Sequence, residues 1–307
     1  MTTTQLLERA DGRLAYTVSG SGPLVALSPG MGDLAGVYQD VVGPLVAAGF
    51  RVACTDLRGH GASTTTFASH GVSETASDLV ALVEHLGGPA VVVGHSVSGT
   101  SATLAATRRP ELVAGLVLVA PHLEPSPSTL AGRLQVQLLI RRPWGAAAWA
   151  WYYRSLHPGR KAAWFDAHVA QVHRSLREAG RFAAFRALAL ALLADGPAVP
   201  VQEVTAPTFV VLGDHDPEFR APAESMRWLV EHLTGASRVE SLLVPESGHY
   251  PHSQRADVVV PAVLAWLSRL PQADGAWGDP GTDTTDAIGA TDGPDVANLP
   301  PVTGASA

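Results

Sequence analysis

A serine, a histidine and a carboxylate in this chain are spaced so that they could do covalent chemistry together. Ser96 stands in Gly94-His95-Ser96-Val97-Ser98-Gly99, behind the apolar run Val91-Val92-Val93 and ahead of an alanine-rich helical pattern from Thr100 to Arg109. A strand, a small-x-Ser-x-small turn and a helix, in that order, are what a nucleophile-presenting turn requires. Such a turn strains the backbone of its central residue, so the positions two away must be nearly bare. Gly94 meets that need, and Ser98 is small enough, with Gly99 one step late. The turn lifts the Ser96 hydroxyl above the sheet. It also aims the Val97 amide, at the head of the helix, toward the place where an oxyanion would form. A serine is a weak nucleophile at neutral pH and needs a base, itself oriented by an acid. Two later strand ends offer them, in the order Ser96, Asp216, His249: Gly213-Asp214-His215-Asp216 and Glu246-Ser247-Gly248-His249.

Other residues compete for these roles. Asp216 lies further past its strand than Asp214, which is expected to bind its own loop backbone. Glu124 follows an earlier strand and is the alternative acid. His252 is the alternative base, but its place near the start of the last helix suits capping or solvent exposure. Asp56, Arg58 and His60 look catalytic in Asp56-Leu57-Arg58-Gly59-His60-Gly61-Ala62-Ser63. A turn so rich in glycine more often locks its own backbone with side-chain hydrogen bonds. The glycine-rich Ser28-Pro29-Gly30-Met31-Gly32-Asp33 could present amides to an anion, either a phosphate or an oxyanion. No GxxxxGK[ST] pattern accompanies it, which argues against a nucleotide loop.

These residues need a scaffold of strands and helices. Strands are expected at Arg13–Val18, Leu24–Leu27, Arg51–Thr55, Val91–Val93, Leu116–Ala120, Phe209–Leu212 and Val239–Val244. Helices are expected at Val37–Ala48, Ser73–Leu86, Thr100–Arg109, Glu224–Leu233 and Val258–Leu270. The alternation predicts an α/β fold, a mostly parallel sheet with helices on both faces, whose ligand sits beyond the carboxyl ends of the strands. Between Pro121 and Thr208 the pattern turns helical and holds Trp144, Trp149, Trp151 and Trp164. An insertion there reads as a cap. The expected division is a core of residues 1–121 and 204–270, a helical cap of residues 122–203, and a disordered acidic tail of residues 271–307.

Composition narrows the classes. The chain has 307 residues, 46% apolar and 16% charged, enough for a sizeable core. Its net charge of −7 comes almost wholly from six aspartates after Pro271, so nothing global suggests nucleic acid. Cys54 is the only cysteine, which excludes an internal disulfide and thiolate–zinc clusters. Neither a secretory h-region nor a run of ~18 apolar residues is present. The expectation is a cytoplasmic protein with no cofactor, no metal, no stable membrane insertion and a small-molecule substrate. The run Leu299-Pro300-Pro301-Val302-Thr303-Gly304 has one residue too many for a sortase signal and no apolar tail behind it.

From about Gly12 to Leu270 the chain resembles the α/β-hydrolase superfamily. The resemblance rests on Pro29-Gly30-Met31, the Asp56–Ser63 segment, Gly94-His95-Ser96-Val97-Ser98, Gly213-Asp214-His215-Asp216 and Gly248-His249. It implies Ser96 as nucleophile, His249 as base, Asp216 as acid, and the Met31 and Val97 amides as the oxyanion hole. The family usually has His-Gly where this chain has Pro29-Gly30. A serine at 96, not an aspartate, sets the chain apart from haloalkane dehalogenases and epoxide hydrolases of similar fold. The implied activity is hydrolysis of a small to medium apolar ester or lactone through an acyl-enzyme. A C–C bond hydrolase or a perhydrolase would carry the same triad. Gly-His-Ser-Val-Ser also looks like the elbow of strigolactone- and karrikin-receptor proteins, slow hydrolases whose output is a bound partner.

For the substrate, His122 and the cap residues Trp144, Trp149 and Trp151 are the candidate contacts. Between His122 and Glu203 the chain carries ten arginines and lysines against five acids. The plain expectation is a solvated helix face with stems over apolar surface. Two sharper readings are arginines such as Arg141 or Arg142 holding an anionic substrate, and a lid resting on an anionic membrane.

Overall fold

A computed structural model describes residues 3–124, 130–194 and 199–270. The expected acidic tail lies outside the described residues. The chain opens with a hairpin, β1 (Gln5–Arg9) and β2 (Gly12–Ser19), followed by β3 (Leu24–Ser28) and β4 (Arg51–Thr55). Then come β5 (Ala90–His95), β6 (Val113–Val119), β7 (Thr208–Gly213) and β8 (Val239–Val244). They form one sheet in the order β1-β2-β4-β3-β5-β6-β7-β8, antiparallel across β1, β2 and β4 and parallel from β4 to β8. Every residue of β3, β5 and β7 is buried. Strands covered on both faces carry unbroken apolar runs, which is why these segments read as runs and not as alternations.

The sheet's two faces separate cleanly. Val25 and Leu27 of β3 join one core with Trp266, Val263 and Leu45. Leu24 and Ala26 join the other with Leu79, Val83 and Ala102. The first face is covered by α1 (Gln39–Ala47) and α10 (Ala256–Leu267), the second by α2 (Val72–His85), α3 (Val97–Arg108) and α8 (Pro222–His232). Alternating side-chain direction along a strand produces this division. Strand order reverses between β3 and β5, so the loops leaving their ends diverge and open a crevice. Ser28, the last residue of β3, lies in register with Gly94 of β5. The Pro29–Asp33 loop and the Ser96 turn therefore start side by side.

Between β6 and β7 lie α4 (Leu130–Leu139), α5 (Gly145–Ser155), α6 (Phe165–Leu176) and α7 (Arg181–Leu193). Ile140, Trp149, Val172, Leu176, Phe182 and Phe185 make their core, and Leu34 from the loop after β3 joins it. Further down, Asp33 is buried and fastens this layer to the sheet. Its carboxylate accepts from His168 Nε2 at 2.6 Å and Tyr153 Oη at 3.1 Å. Trp149 Nε1 donates to the Gly32 carbonyl at 3.0 Å. A Cβ on Gly32, whose φ is +68°, would lie 2.4 Å from that indole nitrogen.

Three local differences from the sequence expectations stand out. Strand β1 was not foreseen: it is an edge strand with one buried residue, Leu7, so no apolar run marks it. The first helix starts at Gln39, after a 3₁₀ turn at Ala35–Tyr38. A separate four-residue helix, α9 (Pro251–Gln254), precedes the last one and holds His252.

Candidate active site

Ser96 sits between β5 and α3 with φ 53° and ψ −121°, a left-handed conformation rare for a residue with a side chain. A Cβ on Gly94 would lie 2.3 Å from the Ser98 carbonyl oxygen, so glycine alone fits beneath the turn. Ser98 does more than stay small. It is buried, its Oγ donates to the Pro29 carbonyl at 2.5 Å, and Ser28 Oγ lies 2.9 Å away. The serine turn and the loop after β3 are thereby tied into one unit. Met31 is in that loop and Val97 opens α3. Among the described residues no hydrogen bond within the protein takes up either amide.

Asp216 and His249 come together from the ends of β7 and β8. His249 Nδ1 donates to Asp216 Oδ2 at 2.8 Å, with both side chains buried. The other Asp216 oxygen accepts the Glu218 amide at 2.9 Å. The His249 amide donates to the Leu156 carbonyl, which holds the imidazole against the end of α5. Burial disfavours a charged His249, but Asp216 and, behind it, Glu218 outweigh burial, and the ring's pKa lies above the ordinary histidine value. Ser96 and His249 line the same cavity, with no hydrogen bond between them among the described residues.

The competing residues are engaged elsewhere. Asp214 accepts from the Ser247 amide and lies 2.6 Å from His215 Nδ1. Glu124 accepts from Ser225 Oγ at 2.8 Å. His252 overturns its expectation: it is neither a cap nor exposed. It is buried against Tyr38 and His95, neither ring nitrogen has a partner, and burial pushes its pKa down to about 3. Asp56 accepts from the Ala35 and Ala62 amides, and Arg58 pairs with Asp78. His60 takes the Gly32 amide on Nε2, and its Nδ1 donates to the Arg58 carbonyl. That turn shapes the loop after β3.

Above Ser96 and His249 opens a cavity of about 750 Å³. Its walls are mainly apolar, with Met31, Ile140, Trp149, Leu156, Ala189 and Leu193 prominent. Of the residues expected to contact substrate, Trp149 and Trp151 line it, while Trp144 and His122 do not. Among the described residues no lysine or arginine lines it either. Arg141 and Arg142 are exposed, and Arg142 lies over the Phe182 ring at 5.7 Å. The expectation of pocket arginines is thus corrected: Ile140 faces inward, and its two successors turn out to solvent.

Glu218 is the residue that sequence reasoning missed. It lines the cavity, takes His122 Nε2 at 3.1 Å and accepts a short hydrogen bond from Tyr152 Oη. Burial opposes its ionisation, but His122 and His249 with Tyr152 hold its carboxyl down at about 2. The signal was available in Asp216-Pro217-Glu218: a second carboxylate stands two residues past Asp216 in the turn after β7, where Asp216 meets His249 and Glu218 reaches the cavity. His122, Glu218 and His249 offer ligand atoms within 4.8 Å of one another. His122 already meets Glu218, and His249 already meets Asp216, so the group is complete as a hydrogen-bond network.

A family model described as Hydrolase_4, serine aminopeptidase S33, matches residues 21–254. The chain belongs to this family of α/β hydrolases. Its full-length relatives include a protein of Variovorax paradoxus described as a carbamate hydrolase, RutD, 30% identical over 84% of this chain and 97% of the relative. The hydrolase also shares its fold with an Acinetobacter baumannii protein described as a lipase, at TM-score 0.73 and 21% identity, covering 88% and 92% of the two chains. A thermophilic esterase of Thermogutta terrifontis superposes at TM-score 0.70 and 23% identity, covering 88% and 99%. The hydrolase is therefore an enzyme. Among its described residues no helix is long and apolar enough to cross a membrane.

Proposed function

We propose that this enzyme is a serine hydrolase that cleaves neutral carboxylic esters bearing a sizeable apolar acyl group. One observation carries the reading: a large apolar cavity has Ser96 and the His249–Asp216 pair at its polar end and no cation in its wall among the described residues. Ser96 Oγ attacks the ester carbonyl and passes its proton to His249 Nε2. Asp216 fixes the ring and stabilises the imidazolium. The Met31 and Val97 amides receive the oxyanion. Collapse expels the alcohol, which takes the proton back from His249. Water, deprotonated by the same ring, then attacks the acyl-enzyme, and Ser96 leaves with its proton restored. The helical layer of residues 122–203 acts as a cap that selects the acyl group. Glu218 contributes a fixed negative charge beside the reacting carbonyl, which disfavours anionic substrates.

The test is fluorophosphonate labelling followed by a series of p-nitrophenyl esters. Labelling should fall on Ser96. kcat/KM should rise by up to about fourfold for each added acyl methylene until the cavity is full. An acyl chain ending in a carboxylate should react more slowly than its methyl ester. Fastest turnover of acetate, or a preference for the anionic chain, would overturn the substrate assignment; labelling elsewhere would overturn the mechanism.

A further inference from the structure

Large apolar side chains are exposed in one place far more than elsewhere. Leu134, Leu138, Trp144, Trp151 and Leu192 all lie in or beside α4, α5 and α7, and Trp151 is 67% exposed. Leu138, Trp151 and Leu192 also line the cavity, so they form its mouth. Leu134 stands one helical turn before Leu138 on the same face of α4. The Trp144 indole donates to the Leu138 carbonyl at 2.9 Å, and Trp151 follows Trp144 by about two turns of α5. The five side chains are one belt around the opening.

The α4–α5 side of the belt is also basic. Between Glu124 and Asp166 the sequence has no acid, and Arg141 and Arg142 stand exposed immediately before Trp144. We infer that this rim docks the enzyme on an anionic phospholipid surface, with Trp144, Trp151 and the leucines entering the headgroup boundary and the arginines meeting lipid phosphates. Indole and leucine side chains flanked by cations are the groups that hold a protein at such an interface. A second copy of this chain suits the rim less well, because a symmetric contact would set the same arginines against each other. Docked this way, the mouth faces the bilayer, and an apolar acyl chain passes into the cavity without crossing water. That last step rests on the proposed substrate class; the docking does not.

Cosedimentation of the full chain with two vesicle types decides the matter, without using turnover. Vesicles of phosphatidylcholine with phosphatidylglycerol should bind the enzyme, and pure phosphatidylcholine should bind it at least tenfold more weakly. Arg141→Gln should weaken binding to the anionic vesicles about fivefold, and salt should do the same progressively. Leu134→Glu with Arg141→Glu should abolish binding while hydrolysis of a dispersed short-chain ester continues at the wild-type rate, which also certifies the fold. No binding to either vesicle, equal binding to both, or a salt-stable dimer broken by Leu134→Glu would each overturn the docking. Vesicle binding by a protein that hydrolyses no ester would leave the docking standing and sink the proposed activity.

Discussion

At the floor of the cavity, Ser96, Asp216 and His249 each stand past the carboxyl end of a parallel strand, and hydrogen bonds fix the turns that hold them. At the roof, the lining residues come from several helices that meet only in three dimensions. The floor is polar, closed and set by backbone geometry. The roof is apolar, partly open to solvent and set by side-chain volume. Under the proposed mechanism, chemistry and selectivity are supported by different kinds of interaction, and substitutions in the two regions should fail differently.

The sharpest break belongs to the floor. Ser96→Ala should lower kcat by about 10⁶-fold with an unchanged thermal melt, because the residual binding groups alone retain little catalysis. Next, Asp216→Asn should cost about 10⁴-fold, since the amide supports the wrong ring tautomer. Asp214→Asn and Glu124→Gln should each stay within a few-fold of wild type. Near-normal turnover of Asp216→Asn beside collapse of Glu124→Gln would move the acid to the other strand end.

The floor should also be the acid-sensitive half. Burial depresses His60 to about 4, His252 to about 3, and His95 well below the ordinary value. In the unfolded chain these rings titrate near 6.5. Between that value and the folded ones, the unfolded chain binds more protons. The stability that the neutral rings contribute is therefore full above about pH 6.5 and declines as pH falls below it, by at most about 1.4 kcal/mol per pH unit per ring. Denaturant titrations at pH 7 and pH 5 measure the decline. His252→Phe, which keeps a ring against Tyr38 and removes two unpartnered nitrogens, should make it shallower.

Roof substitutions should change preference more than rate. Ala189→Phe fills part of the cavity and should reduce kcat/KM for a long acyl ester about tenfold, the scale of about 1.4 kcal/mol of lost apolar fit, with acetate little affected. Equal losses on both esters would mean that the roof and floor are not separable. Smallest is the effect at their junction. Glu218 helps to raise the His249 pKa, and the base must be neutral to act, so wild-type kcat/KM should fall off on the acid side above the ordinary histidine value. Glu218→Gln should move that limb to lower pH and narrow the gap between neutral and anionic esters.

The same contrast explains what could be read from residue order. Strand, turn and helix around Ser96 are local, and so are the strand ends before Asp216 and His249; the structure puts those two side chains 2.8 Å apart. Local spacing cannot say which of four tryptophans reach a cavity. Trp149 and Trp151 do, Trp144 stands on the rim, and Trp164 donates to Asp40. Net charge over the insertion suggested arginines toward substrate, yet charge carries no direction until the helices are packed. His252 was misplaced for a related reason: the short α9 turns it beneath His95, a contact no helical periodicity encodes. Edge strand β1 left too little apolar pattern to be seen at all.

Trp149 on Gly32, with Tyr153 and His168 on Asp33, has a consequence for exchanging parts between related enzymes. These three side chains belong to α5 and α6, and their partners sit in the loop that carries Met31. A chimera that imports α5 and α6 from another hydrolase must import residues 29–34 with them, or it strands a buried carboxylate at a cost of about 3–5 kcal/mol. The described residues of α4 hold none of these contacts. The α4 side of the opening can therefore be redrawn by grafting that single helix, and Ser96, Asp216 and His249 stay in register.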